Sequence, residues 1–134
     1  MKQRILIVDD NEDVRTILRL QLAKVGFDVA TAGDGKAALD AVHRDQPSCV
    51  LLDLHMPNMD GFEFLSQLQS LGPNPPPVFV VTHYDDPRAH ARMQQLGADA
   101  IFSQTEAMQR DFPILLKGLL SMLTAELPPA ALQA

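Results

Sequence analysis

Apolar and polar positions in this chain alternate between two periods. Short runs that are apolar at nearly every position are separated by longer stretches in which apolar residues return every three or four positions. The first run, Arg4–Val8, is β-branched and reads as a buried strand. From Asn11 to Val25 the period lengthens. Val14, Ile17, Leu18, Leu22 and Val25 share one helical face, Arg15 and Arg19 point elsewhere, and Gly26 is a natural stop. Phe27–Ala32 reads as a second strand. Asp34 caps a helix to about Arg44, closed by Pro47, and Cys49–Leu52 is a third buried strand.

Asp60 caps the next predicted helix, with Phe64, Leu65, Leu68 and Leu71 inward. The segment GPNPPP at 72–77 must be loop, because proline removes backbone donors and fixes the chain. Val78–Val81 is a fourth strand, Pro87 opens a helix that ends at Gly97, and Ala100–Phe102 is a short fifth strand. A last helix is expected from Phe112 to Glu126. Its Ile114, Leu115, Leu116, Leu119, Leu120, Met122 and Leu123 wrap more than one face. That pattern suggests a partner or a homodimer over the fourth and fifth helices, with generous core packing as the bland alternative. Strands alternating with helices imply a parallel sheet covered on both faces. The expected fold is therefore a doubly wound α/β domain of five strands and five helices.

Size and composition narrow this picture little. The 134 residues are enough for one domain, expected over residues 1–126, with 127–134 a disordered tail or the start of a linker. A formal net charge of -6 speaks against a general nucleic-acid binder. No apolar stretch approaches the roughly 20 residues of a membrane span. Acids interrupt MKQRILIVDD too early for a signal peptide. A cytoplasmic location is the default. The single cysteine, Cys49, sits in an apolar run as a small hydrophobe.

The chemistry lies where the apolar runs stop. Asp9, Asp10, Asp53, Thr82 and Gln104 all follow directly after predicted strands. In a parallel sheet such positions gather at one edge, where ligands bind. Clustered carboxylates repel one another, and a hard divalent ion removes that penalty. Magnesium takes oxygen ligands and keeps several waters, which leaves room for a phosphoryl oxygen. A carboxylate can also act as the nucleophile that carries an aspartyl phosphate.

With VDD at 8–10, DLHMPNMDG at 53–61 and VVT at 80–82, the chain resembles the receiver domain of the two-component response regulators. The resemblance covers the chain to about Met122 and implies the flavodoxin-like strand order 2-1-3-4-5. It implies Asp53 as phosphoacceptor, and Asp10, Asp53 and the main-chain carbonyl of His55 as ligands of magnesium or manganese, with Asp9 acting through metal-bound water. Thr82 would be the hydroxyl that follows the phosphoryl group, and Pro57 and Gly61 would shape the loop. The implied partners are a sensor histidine kinase or phosphotransfer protein and an unknown output protein. Neither nucleic acid nor membrane is implied. The chain would be a phosphoacceptor rather than an enzyme, with slow loss of its own phosphoryl group. It would report by a shift of the face built from the fourth helix, fifth strand and last helix. No output domain is recognised after the receiver, so output by contact, or a fragment of a longer protein, is expected.

Three positions depart from the pattern. The family expects a lysine after the fifth strand, but the lysines here are Lys2, Lys24, Lys36 and Lys117, and Gln104 stands at that register. A cation about 4 Å from a phosphoryl group is worth roughly 4 kcal/mol at an effective dielectric of 20. A neutral hydrogen bond nets about 0.5–1.5 kcal/mol. The response to phosphorylation is therefore expected to be weakened, and the alternative is a receiver-like interaction module that works without phosphorylation. Arg88 or Arg92 reaching in from the fourth helix is a remote substitute. Ile101 stands where the family often has an aromatic switch residue, and it is stiff at its first torsion. His83 stands where a small residue is usual, and a ring there would restrict access to the pocket.

Blander readings exist for each piece. Asp9 and Asp10 could only favour the positive end of a helix, and Thr82 could be an ordinary strand residue. Asp9–Asp13 opens like a calcium loop, but Val14 and Leu20 replace its glycine and final glutamate. Gly33-Asp34-Gly35-Lys36-Ala37-Ala38 fits a dinucleotide fingerprint but follows the second strand, not the first. ILIVDD resembles a Walker B strand without any Walker A partner.

Overall fold

The five apolar runs pair as one parallel sheet in the order β2-β1-β3-β4-β5. Its strands are β1 (Arg4–Val8), β2 (Asp28–Ala32), β3 (Cys49–Asp53), β4 (Val78–Thr82) and β5 (Ala98–Ser103). The computed structural model describes residues 3–54, 61–72, 74–82 and 86–124. Among these, six helices cover the sheet: α1 (Glu12–Lys24), α2 (Gly35–Asp45), α3 (Gly61–Gln69), α4 (Pro87–Gln95), α5 (Gln104–Ala107) and α6 (Phe112–Thr124). Five were expected. The addition is the four-residue α5, and the predicted last helix is α6.

Local chemistry sets the boundaries. Asn11 caps α1 by accepting from the Val14 N–H at 3.1 Å, and Asp34 caps α2 by accepting from the Ala37 N–H at 2.8 Å. Both satisfy donors left over in the first helical turn. After α1 the chain turns through Gly26 at φ 99°, which favours glycine. Asp86 caps α4 and Pro87 follows it, where a missing N–H costs nothing.

Alternation along the strands splits the core into two layers. Leu6, Val8, Val50, Leu52, Val78 and Val80 face α2, α3 and α4. Ile5, Ile7, Cys49, Leu51, Phe79 and Val81 face α1, α5 and α6. Three features differ from expectation. Ile17 and Leu71 were placed inward but are 44% and 40% exposed. Ile17 lies at the rim of the α1 stripe, and Leu71 falls two residues past the end of α3. The strand β5 begins at Ala98, not Ala100. Asp99 forms a bulge there, so that Val78 pairs with Ala98 and Phe79 with Ala100. The Asp99 carboxylate fills the gap by accepting from the Val78 N–H at 2.8 Å.

On α6, Leu116 and Leu120 are buried, whereas Ile114, Leu115 and Met122 are 66%, 49% and 72% exposed. Among the described residues no helix is long and apolar enough to cross a membrane. The expected end of the last helix at Glu126 and the tail at 127–134 lie outside the described residues.

Candidate functional site

Register brings the acids together. Val8 pairs with Leu52, so the next residues on these neighbouring strands are Asp9 and Asp53. The ladders run past the strand ends. The Asp9 N–H donates to the Ala32 carbonyl at 3.1 Å, and the Leu54 N–H donates to the Val81 carbonyl at 3.2 Å. Asp9 continues the face of Ile5 and Ile7, and Asp53 that of Cys49 and Leu51. Both acids therefore leave the sheet on the α1 side. They are among the few buried polar side chains, Asp9 4% and Asp53 7% exposed.

Burial and repulsion act on this pair. The Asp9 carboxyl pKa is pushed up from its ordinary 3.8 to about 7, first by burial and then by the adjacent Asp53 and Asp10 charges. The Asn11 N–H donates to Asp9 Oδ1 at 2.9 Å and opposes the rise, but does not cancel it. Asp9 thus holds its proton far more readily than an ordinary aspartate. Asp10 is half-buried beside this pair. Adjacent hard oxygen donors that repel one another when ionised are suited to magnesium or a similar ion. Among the described residues no three carboxylate, histidine or cysteine side chains form a complete metal cage. An ion here would be held by the carboxylates and water, as magnesium often is.

The other predicted residues fall as follows. Thr82 ends β4, buried to 3% exposure, opposite Ser103 in β5. It continues the face of Val78 and Val80, away from Asp53's side of the sheet. Ile101 pairs with Val80 and packs against that same layer, so Ile101 and Thr82 are diagonal neighbours. Phe102 faces the opposite layer, edge-on to Phe112 with centroids 5.2 Å apart. Gln104 is the first residue of α5. With Asp9, Asp53 and Met108 it lines a cavity of about 30 Å³, enough for a water or two. Gly61 opens α3 close to the end of β3. A Cβ there would fall onto the Leu54 side chain and lie 3.1 Å from the Leu54 Cα. His55, Pro57, Asp60 and His83 lie outside the described residues.

Two arginines settle where cations stand. Arg92 lies over the Phe62 ring, 4.2 Å from its centroid, which ties α4 to α3 and turns its charge away from the remote role of replacing the lysine. Arg15 was expected to point away from the core, yet its Nη1 donates to the Asp9 main-chain carbonyl at 2.6 Å.

Sequence reasoning missed Arg15 and α5. No sequence signal marks the first, whereas the second had one. Ser103 and Glu106 form a capping box, with the Glu106 N–H donating to Ser103 Oγ at 3.0 Å and the Ser103 N–H donating to Glu106 Oε1 at 2.9 Å. That box turns the chain into a helix at Gln104.

Comparison with known proteins agrees with this geometry. The family model described as "Response regulator receiver domain" matches residues 5–110. The chain is 38% identical over 109 residues to response regulator MprA of Mycolicibacterium vanbaalenii, covering 81% of this chain and 47% of that protein. It is 36% identical over 98 residues to a probable transcriptional regulator, ycf27, of Porphyridium aerugineum, covering 73% of this chain and 40% of that protein. The chain thus spans under half the length of these curated relatives. A CheY-like response regulator receiver domain protein from Methanospirillum hungatei superposes with a TM-score of 0.83 at 26% identity, covering 94% of this chain and 99% of the other. The chemotaxis response regulator CheY4 of Vibrio cholerae shares the fold at a TM-score of 0.80 and 22% identity, over 90% of this chain and 99% of that one.

Proposed function

This chain belongs to the response regulator receiver domain family of two-component systems, and from that premise we propose that it accepts a phosphoryl group on Asp53 from a histidine kinase or phosphotransfer protein. The observation that carries the reading is the side-by-side placement of buried Asp9 and Asp53 at the ends of adjacent strands. An Asp53 carboxylate oxygen would attack the phosphorus of a phosphohistidine donor. The P–N bond breaks, and the imidazole leaves with its electron pair.

Magnesium, when bound, supplies positive charge that neutralises the acids and the incoming phosphoryl oxygens. Asp10, Asp53 and the His55 carbonyl would hold it, with Asp9 acting through bound water. Asp9 must give up its proton for the ion to bind, and the Asn11 N–H fixes the orientation of its carboxylate. Thr82, which ends the neighbouring strand β4, would follow the phosphoryl group with its hydroxyl. The added group carries about -1.5 to -2 charges. It would bias the face of α4, β5 and α6, less strongly than in receivers with a lysine because Gln104 brings no charge. The chain is then a phosphoacceptor with slow self-dephosphorylation, working in the cytoplasm and signalling to an output protein or to output segments beyond the matched region.

Gln104 also favours a second reading, an interaction module that works without phosphorylation. Incubation with magnesium and acetyl phosphate separates the two. The expected result is a mass gain of one phosphoryl group that Asp53→Asn abolishes. An unmodified protein would favour the second reading. An adduct that survives Asp53→Asn would remove Asp53 from its role.

A further inference from the structure

We infer that Arg15 is a positioning residue that locks the Asp9 backbone, so that the acidic loop is prearranged for a divalent cation. This deepens the phosphoacceptor reading and rests on it. Each polar backbone atom of Asp9 has a partner. Its N–H donates to the Ala32 carbonyl at 3.1 Å, and its carbonyl accepts from Arg15 Nη1 at 2.6 Å. Its carboxylate is held separately by the Asn11 N–H at 2.9 Å. With the peptide pinned on both sides and one carboxylate oxygen engaged, Asp9 keeps a single orientation beside Asp53.

The guanidinium also has a close neighbour on the other side. It lies over Gly33, just past the end of β2, where a Cβ would sit 3.0 Å from Nη1, 3.6 Å from Cζ and 3.9 Å from Nη2. Glycine at 33 leaves room for the planar fork between the loops after β1 and β2, whereas a Cβ there would press on Nη1. Arg15 therefore bridges two loops at the carboxyl edge of the sheet, and it binds a main-chain oxygen. A bond from a charged donor to a carbonyl is among the stronger kinds of hydrogen bond.

The sign of its effect separates positioning from simple charge. A fixed positive charge near a cation site opposes the cation, so a purely electrostatic Arg15 would weaken magnesium binding, and Arg15→Ala would tighten it. Positioning predicts the reverse, because partners that orient metal ligands typically contribute about 10–100-fold in affinity.

The test uses the whole chain, with magnesium binding measured by calorimetry and amide hydrogen exchange followed without metal. Arg15→Ala should bind magnesium about tenfold more weakly. Arg15→Lys, which keeps a charged donor on a flexible stem, should recover part of the loss. In the metal-free protein, Arg15→Ala should speed exchange of the Asn11 amide by about tenfold and leave the β3 and β4 amides unchanged. Equal or tighter magnesium binding by Arg15→Ala overturns the inference. If the unaltered protein takes up no magnesium, the phosphoacceptor reading fails, and the Asn11 amide then decides the positioning role alone: faster exchange supports it and unchanged exchange overturns it.

Discussion

Replacing Asp9 by asparagine should stabilise the metal-free protein at high pH and do little at low pH. Asparagine keeps the size of the side chain and an oxygen that can accept from the Asn11 N–H, as Asp9 does at 2.9 Å. What it removes is the ionisation. In the folded chain the Asp9 pKa lies at about 7, against 3.8 for an unperturbed aspartate. Below about pH 4 both states are protonated and the residue contributes nothing. Between 4 and 7 the folded state holds a proton that the unfolded state releases, so stability falls as pH rises through this window. Above 7 the loss is complete, at about 1.4 kcal/mol per unit and hence roughly 4 kcal/mol in all. Against a typical domain stability of about 5–15 kcal/mol, this is a large share.

Urea unfolding in the presence of a chelator is the assay. Asp9→Asn should exceed the unaltered protein by about 3–4 kcal/mol at pH 8 and by about 1 kcal/mol or less at pH 4.5. Under the proposed function, magnesium would bind the native carboxylates and stabilise the unaltered protein by mass action, which would reverse the ranking. Binding at pH 6 should release nearly one proton, and at pH 9 almost none. A gain from Asp9→Asn that is the same at both pH values would refute the reasoning, since it would come from packing and not from charge. A loss at pH 8 would refute it outright.

Two further outcomes follow from the same geometry. Gln104→Lys should restore a cation to the phosphoryl site and enlarge the chemical-shift changes on α4, β5 and α6 when the protein is phosphorylated; shifts equal to those of the unaltered protein would defeat the charge explanation. Gly61→Ala should cost about 1–3 kcal/mol by overpacking, because its Cβ lands on Leu54; an unchanged urea midpoint would mean that the start of α3 moves freely away from β3.

The parts of this fold that were legible in the sequence are those set by period and by capping. Each apolar run became a strand, and Asp34 and Pro87 marked helix starts, the one through a donor it satisfies and the other through a donor the helix does not need. The meeting of Asp9 and Asp53 followed from the same logic once the strands were parallel, because equal distances from paired residues put them on one face. The misses have equally local causes. A bulge at Asp99 interrupts the alternation of β5, so a period-two reading starts the strand too late. Four residues of α5 are too few to show a helical period, and only the S-x-x-E spacing at 103–106 could have revealed it. Ile17 sits at the rim of the α1 stripe, where periodicity alone cannot fix the side of burial, and Leu71 lies beyond the end of α3, where the helical period no longer applies.

Arg15 shows a different limit. Its position on α1 tells which way the Cβ points, but a long side chain can turn back, and its direction follows the space over Gly33 and the Asp9 carbonyl that it bonds. Neither exists until β1 and β2 are paired. The site as a whole has this character. Two carboxyl groups buried side by side repel one another when ionised, and sequence-level reasoning about stability alone would reject them. They persist because the sheet around them is apolar on both faces and stable enough to carry the cost. A local violation held in place by an otherwise consistent fold points to use by a ligand, and the cost itself, read as a pH-dependent stability, is the most direct measure of how much a cation bound under the proposed function would relieve.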